Sequence, residues 1–193
     1  MTARDGAGLL IRLVEREDLP ALFAYLDDHL RDNGKHGTPL FQPMARAESG
    51  FPVERRAAFV TGMTTAVGEP GWRRAWMALD EHGYICGHVD LRGRPERLAR
   101  HRCLLGMGVH RAHRRRGLGT QLLDTALGWA REQAGIDWVD LEVMSNNLPA
   151  RRLYERNGFV FAGEMTDLFR IDGQQYGYVF MSHPLEAAPR HPR

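Results

Sequence analysis

"HRAHRRRGLGTQLLDTALGWA", His110 to Ala130, is the stretch whose reading decides the fold. Arg114, Arg115 and Arg116 run into Gly117-Leu118-Gly119, and then Leu118, Leu122, Ala126, Trp129 and Ala130 recur at helical spacing. Three readings are open: a basic patch for nucleic acid, a solvated charged turn, or a cradle for phosphate. A helix N-terminus leaves backbone N–H groups unpaired and carries a partial positive charge. Glycines there let an anion approach the backbone. The pattern is neither GxxxxGK[ST] nor GxGxxG. The apolar run just before it, "RCLLGMGV" (102–109), reads as a strand containing Gly106 and Gly108. Glycine inside a strand often marks close approach by another backbone or a ligand. A bare strand followed by a phosphate-binding turn suits a long ligand with a pyrophosphate in its middle.

The whole chain narrows the choice. Its 193 residues suffice for one domain, with 43% hydrophobic and 26% charged residues. A net charge of only +2 argues against a protein devoted to nucleic acid. No apolar run is long enough to span a bilayer, and "MTARDGAG" lacks the apolar segment of a secretory signal, so a cytoplasmic protein with no membrane partner is expected. Cys86 and Cys103 sit in strand-like stretches and read as buried free thiols. His110 and His113 have no third ligand at metal-site spacing, and no metal is expected.

Outward from the opening stretch, the element order is strand, helix, helix, three strands, helix, strand, helix, two strands. "LLIRLVERED" (9–18) begins as a strand; Asp18 caps a helix with Pro20 in its first turn and an apolar stripe of Leu19, Leu22, Phe23, Leu26 and Leu30. A glycine- and proline-bearing loop follows, then a helix over 53–67 and a hairpin around Asp80–Gly83. The helix opened by Gly117 runs to Gly135, "DWVDLEVM" (137–144) is a strand, and Asn147 caps a short helix that Gly158 stops. A final hairpin turns at Asp172-Gly173. This is a mixed α/β domain over 1–185, with a polar tail at 186–193. The strands flanking the 117–135 helix should be parallel neighbours joined by a crossover, and the rest of the sheet antiparallel.

"VHRAHRRRGLGTQLL" resembles the acyl-coenzyme A motif [Q/R]-x-x-G-x-[G/A] of the GNAT N-acyltransferase superfamily, with Arg114, Gly117 and Gly119 in its fixed positions. "LEVMSNNLPARRLYERNGF" resembles the superfamily's second motif through Asn147, Ala150, Leu153, Tyr154, Gly158 and Phe159. The resemblance covers about 9–185. It implies about seven mostly antiparallel strands with one central parallel pair splayed at the acyl-coenzyme A site, about four helices, and acetyl-coenzyme A as co-substrate. Met107, Gly108 and Val109 would bond the pantetheine arm like an added strand. Backbone N–H groups of Arg115, Arg116, Gly117, Leu118, Gly119 and Thr120 would hold the pyrophosphate. Asn147 and Ala150 would flank the pantetheine, and Tyr154 would sit near the sulfur and protonate the leaving thiolate. The arginine side chains are secondary in this picture, reserved for an outer phosphate.

Amine acetylation also needs a base or a water chain. Glu142 is the leading candidate, on the strand before the second motif. Some ribosomal-protein N-terminal acetyltransferases of the superfamily are similar there, with a glutamate twelve residues before the tyrosine, the separation of Glu142 and Tyr154. Asp90 is a weaker candidate. The resemblance places the acceptor pocket at His36–Pro52 and the last hairpin, offering His36, Phe41, Gln42, Asp167, Phe169, Arg170 and Tyr176. Asp167 for an ammonium and Arg170 for a carboxylate would suit an amino-acid-like amine. A peptide or protein amine, and a non-catalytic acyl-coenzyme A sensor, stand as alternatives; a homodimer is left open.

Overall fold

The computed structural model describes residues 3–4, 8–133 and 135–185. The strands are β1 (Ala3–Arg4), β2 (Leu10–Leu13), β3 (Arg73–Leu79), β4 (Ile85–Gly93), β5 (Arg102–Val109), β6 (Trp138–Met144), β7 (Val160–Ile171) and β8 (Gln174–Pro184). The helices are α1 (Leu19–Arg31), α2 (Val53–Thr64), α3 (Leu118–Arg131) and α4 (Leu148–Arg156). One sheet holds all the strands in the order β1-β2-β3-β4-β5-β6-β8-β7. Every neighbouring pair is antiparallel except β5 with β6, which α3 connects as a crossover. The expected single parallel pair is therefore present, and the 186–193 tail lies outside the described residues. No helix among the described residues is long and apolar enough to cross a membrane.

Strand alternation puts Trp76, Val89, Leu91, Cys103, Leu105, Val139, Leu141, Val143, Val179 and Met181 on one face, where they pack with Leu118, Leu122, Leu123, Ala126 and Leu127 of α3. Full burial of each such side chain contributes about 1.5–3 kcal/mol. The other face receives α1 and α2, through Leu19, Leu22, Tyr25, Leu26 and Phe59 against Ala75 and Met77. A third cluster, Leu40, Met144, Ile171 and Tyr176, joins the α1–α2 loop to the closing hairpin.

Three local expectations change. Asp18 does not cap α1 with its side chain; it accepts from the Glu15 N–H at 2.8 Å and forks with Arg12, bracing a 3₁₀ turn ahead of the helix. α2 stops at Thr64 rather than Val67, because Thr65 is extended. α3 ends at Arg131, four residues before Gly135, whose φ of +90° serves the turn into β6. The two cysteines are free and buried, as read from the sequence.

Candidate active site

β5 and β6 pair only at Arg102–Trp138, Cys103–Val139 and Leu104–Asp140. Beyond that point β5 stays on β4 and β6 stays on β8, so the two strands part. At the closed end, Asp140 accepts from Arg102 Nε (2.8 Å), Arg94 Nη1 (3.0 Å) and Ser182 Oγ (2.7 Å), tying β5, β6 and β8 together. Burial pushes the Asp140 carboxyl up, but these donors outweigh it and hold it below the usual range.

The open edge of β5 carries defined groups. His110 N–H donates to Cys86 O, so the register directs the backbone polar groups of the even-numbered residues 104–108 at β4 and those of Leu105, Met107 and Val109 at the gap. Beyond Leu104 this edge has no strand partner among the described residues. Arg114 Nε donates to the Val109 carbonyl at 3.1 Å.

The turn after β5 answers the question of the three arginines. Arg114 is spent internally: Nη2 meets Asp32 Oδ2 at 3.0 Å and Nη1 meets Thr38 Oγ1 at 3.2 Å, fastening the turn to the end of α1. Its side chain is therefore not directed to a phosphate. Arg115 and Arg116 are exposed and make no ion pair among the described residues. Arg115 (φ +62°) and Gly117 (φ +83°) are both left-handed, the kind of turn in which successive N–H groups form an anion-binding concavity. Thr120 N–H already bonds the Gly117 carbonyl, which leaves Leu118 and Gly119 as the orphan donors of the first helical turn.

The glycines serve separate purposes. Gly117 supplies positive φ. At Gly119, a Cβ would stand 2.9 Å from Leu153 Cδ2 and 3.7 Å from Met107 Cε, so this glycine admits α4 against the start of α3 and joins the two sequence motifs. Gly106 and Gly108 make room on the opposite face. A Cβ at Gly106 would meet Asp90 and Arg92, and one at Gly108 would lie 2.4 Å from His29 Nε2 and 2.7 Å from His88 Cε1.

On the α3 side, Asn147 caps α4 by accepting from Ala150 N–H at 3.4 Å. Tyr154 follows one helical face further, buried, edge-to-face with Phe159 at 5.8 Å. Burial, then the neighbouring Tyr178, pushes its phenol pKa up, and its hydroxyl has no hydrogen-bond partner among the described residues. Ala150 and Leu153 pack with Met107 and Val109 on the rim of the main core.

On the other face, Glu142 is exposed, makes no ion pair among the described residues, and pairs in register with Phe180. It borders a cavity of about 350 Å³ with Arg94, Arg102, Asp140 and Ser182. Tyr178 has its pKa pushed up to about 12, first by burial and then by Glu142. Asp90 is instead locked: Arg73 Nη1 (2.9 Å) and Arg92 Nη1 (3.2 Å) both donate to its Oδ1. Both guanidiniums therefore meet the same carboxylate oxygen of the weaker base candidate.

Sequence reasoning missed the group that fills this face. Tyr25 Oη donates to the Gly108 carbonyl at 3.3 Å and lies 3.3 Å from His88 Nδ1. His29 stacks on Tyr25 and Phe41, and its buried Nδ1 has no partner. Burial pushes the His29 pKa well down and that of His88 down to about 4, so both imidazoles are neutral. Only Gly106 and Gly108 hinted at this cluster, by marking where the backbone is approached.

Among the acceptor candidates, Phe41 lies 4.8 Å from the His29 ring, and the Phe41 and Gln42 N–H groups are held by the buried Asn33 Oδ1. Tyr176 is buried, donates to Gln174 and accepts from Arg46. Arg46 also bonds Asp172 at 2.6 Å and the Gly34 carbonyl at 2.9 Å, so it clasps the loop to the closing hairpin. Asn33 and Arg46 carried no signal in the sequence beyond lying in or beside a long loop. His36 is exposed with φ +50°. Phe169 packs on Tyr178 at 5.1 Å. Asp167 and Arg170 pair with each other on the exposed hairpin. The two residues named as separate poles for an ammonium and a carboxylate thus neutralise each other in the absence of an acceptor. A second cavity, of about 510 Å³, opens between this loop and the start of α4, lined by Gly34, Thr38, Pro39, Asn146 and Pro149 among others.

The description of the acetyltransferase (GNAT) family matches residues 45–159, from before α2 to the end of the second motif. The chain belongs to this family. The fold is that of solved GNAT structures. A ribosomal-protein-alanine N-acetyltransferase from Brucella melitensis superposes with a TM-score of 0.73 at 22% identity, covering 91% of this chain and 99% of that one. A phosphinothricin acetyltransferase from Sinorhizobium meliloti, solved with acetyl-coenzyme A, gives 0.73 at 20% identity, covering 96% and 94%. Drosophila melanogaster N-alpha-acetyltransferase 60 is 29% identical over 83 residues, which are 42% of this chain and 30% of that protein.

Proposed function

We propose that this GNAT protein transfers an acetyl group from acetyl-coenzyme A to the primary amine of a small, amino-acid-like molecule. The observation that carries the reading is the parting of β5 from β6 beyond Leu104–Asp140, with Glu142 exposed on β6 just past the last pair and Tyr154 buried on α4. The residues suit the co-substrate: a β5 edge with no strand partner at Met107 and Val109 among the described residues, and a left-handed turn opening α3. When bound, acetyl-coenzyme A supplies an activated acyl carbon on a thiolate leaving group.

The protein's part is proton handling and alignment. Glu142 takes a proton from the incoming ammonium, directly or through water, which leaves the nitrogen lone pair free to attack the thioester carbon. As the C–S bond breaks, Tyr154 donates its phenolic proton to the thiolate. Its raised pKa keeps that proton in place until then. The second proton of the now cationic nitrogen returns to the Tyr154 phenolate, directly or through water, while Glu142 releases its proton to solvent. The products are the N-acetyl amide and the free thiol. Arg73 and Arg92 share the single carboxylate of Asp90, which leaves positive charge beneath the acceptor face and favours an amine that also carries an anionic group.

The test is thiol release from acetyl-coenzyme A with a panel of amino acids, polyamines, aminoglycosides and peptide N-termini. Turnover greatest with anionic amino-acid-like amines is expected. Preference for peptide N-termini would move the assignment to a peptide acetyltransferase, and saturable coenzyme binding without turnover to a sensor.

A further inference from the structure

Outside the slot, Asp80, Cys86 and His113 converge, although the sequence places them on two separate segments. Asp80 and Cys86 flank the β3–β4 turn, and His113 closes the 3₁₀ turn (Arg111–His113) that follows β5. One potential ligand atom from each lies within 4.8 Å of the other two, and no other such group occurs among the described residues. Cys86 Sγ and His113 Nε2 are 3.4 Å apart, close to the edge of a tetrahedron of sulfur and nitrogen around a zinc-sized ion.

The surroundings fit a ligand set. Asp80 Oδ1 accepts backbone N–H groups from His82 and Tyr84, each at 2.9 Å, which fixes the carboxylate and leaves its second oxygen uncommitted by any hydrogen bond among the described residues. Ligating carboxylates are commonly oriented by such outer bonds. Cys86 is buried, while Asp80 and His113 are partly exposed, so an ion has an entry route and a position left for water. The metal group in its chemistry is selective: one thiolate, one imidazole and one carboxylate favour zinc over magnesium or calcium, which prefer oxygen alone.

We propose that Asp80, Cys86 and His113 form a zinc site, completed by water, which pins the tip of the β3–β4 hairpin to the turn that leads into α3. On binding, the Cys86 thiol gives its proton to solvent and its sulfur to the metal. The site does not use Glu142, Tyr154 or the β5 edge, so it stands apart from the acetyl-transfer reading. It also differs from the metal-free expectation drawn from spacing, because contact across a hairpin leaves no short motif.

The test uses the full chain, stripped with a chelator and titrated with Co²⁺ as an optical probe and with Zn²⁺ as competitor. One equivalent of Co²⁺ should give a thiolate-to-metal charge-transfer band and the intense visible bands of a four-coordinate ion, both abolished by one equivalent of Zn²⁺. Cys86→Ser should erase the charge-transfer band, and Asp80→Asn and His113→Ala should each weaken Co²⁺ binding at least ten-fold. The thermal shift given by acetyl-coenzyme A in each variant reports that it is folded. A charge-transfer band that survives in Cys86→Ser, or no band in the wild type at millimolar Co²⁺, would overturn the proposal and reduce the trio to a thiol–imidazole hydrogen bond beside a turn.

Discussion

In the proposed reaction Tyr154 and Glu142 divide the chemistry between two faces of one sheet, and each should leave a separate kinetic trace. Tyr154→Phe keeps the ring that packs on Phe159 and removes only the proton donor. It should lower kcat by about 10²–10⁴-fold, the usual contribution of a general acid, while the coenzyme Kd stays within about two-fold. Equal loss of both would make Tyr154 structural. Glu142→Gln should lower kcat by about 10²–10⁴-fold with the coenzyme Kd within about two-fold, and unchanged turnover would exclude it as the base. Both candidates could be named from the sequence, Tyr154 by its place in the second motif and Glu142 by its strand and its twelve-residue separation from that tyrosine. Arg114 was legible in identity and not in role. Its partners, Asp32 and Thr38, lie far away in the chain, and no local pattern shows which arginine of three turns inward.

At the scale of elements, the two motifs are mechanically joined where Gly119 admits Leu153. Gly119→Ala should destabilise the fold by about 1–3 kcal/mol through overpacking. In denaturant titrations Leu153→Ala should cost less in that background than in the wild type, as coupled neighbours do. Additive losses would show that α3 and α4 do not meet as described. Gly117→Ala, by contrast, forces a side chain into positive φ without any clash within 4 Å. It should cost stability and raise the acetyl-coenzyme A Kd together, because the strained turn is the one proposed to hold the pyrophosphate. Apart from the two-residue β1, which carried no signal, the strands, the crossover and the final hairpin could be read from periodicity and turn residues. The parting of β5 and β6 could not be read from the residues alone, since it depends on where three pairs of residues stop bonding.

At the scale of the molecule, the buried polar face under Gly106 and Gly108 sets the response to acid. His29 and His88 both have folded-state pKa values depressed by burial, that of His88 to about 4. The unfolded chain protonates them near the ordinary value of about 6.5, so below that pH unfolding takes up protons. The stability they allow is fully present above about pH 6.5 and is lost as pH falls toward 4. Urea midpoints should therefore drop across that window, and His88→Gln should flatten the slope; an unchanged slope would show that His88 does not titrate on unfolding. This cluster was illegible in the sequence. Its members come from α1 and β4, and only the glycines opposite them hinted that a backbone was closely approached.

The central claim is that acetyl-coenzyme A lies along the free edge of β5 with its pyrophosphate at the start of α3. Amide hydrogen exchange of the protein with and without acetyl-coenzyme A tests it most directly. Saturating ligand should slow exchange at Met107, Val109 and across Arg115 to Gly119, and leave β2 and β3 unchanged. Slowing confined to other segments, or none at millimolar ligand, would contradict the account.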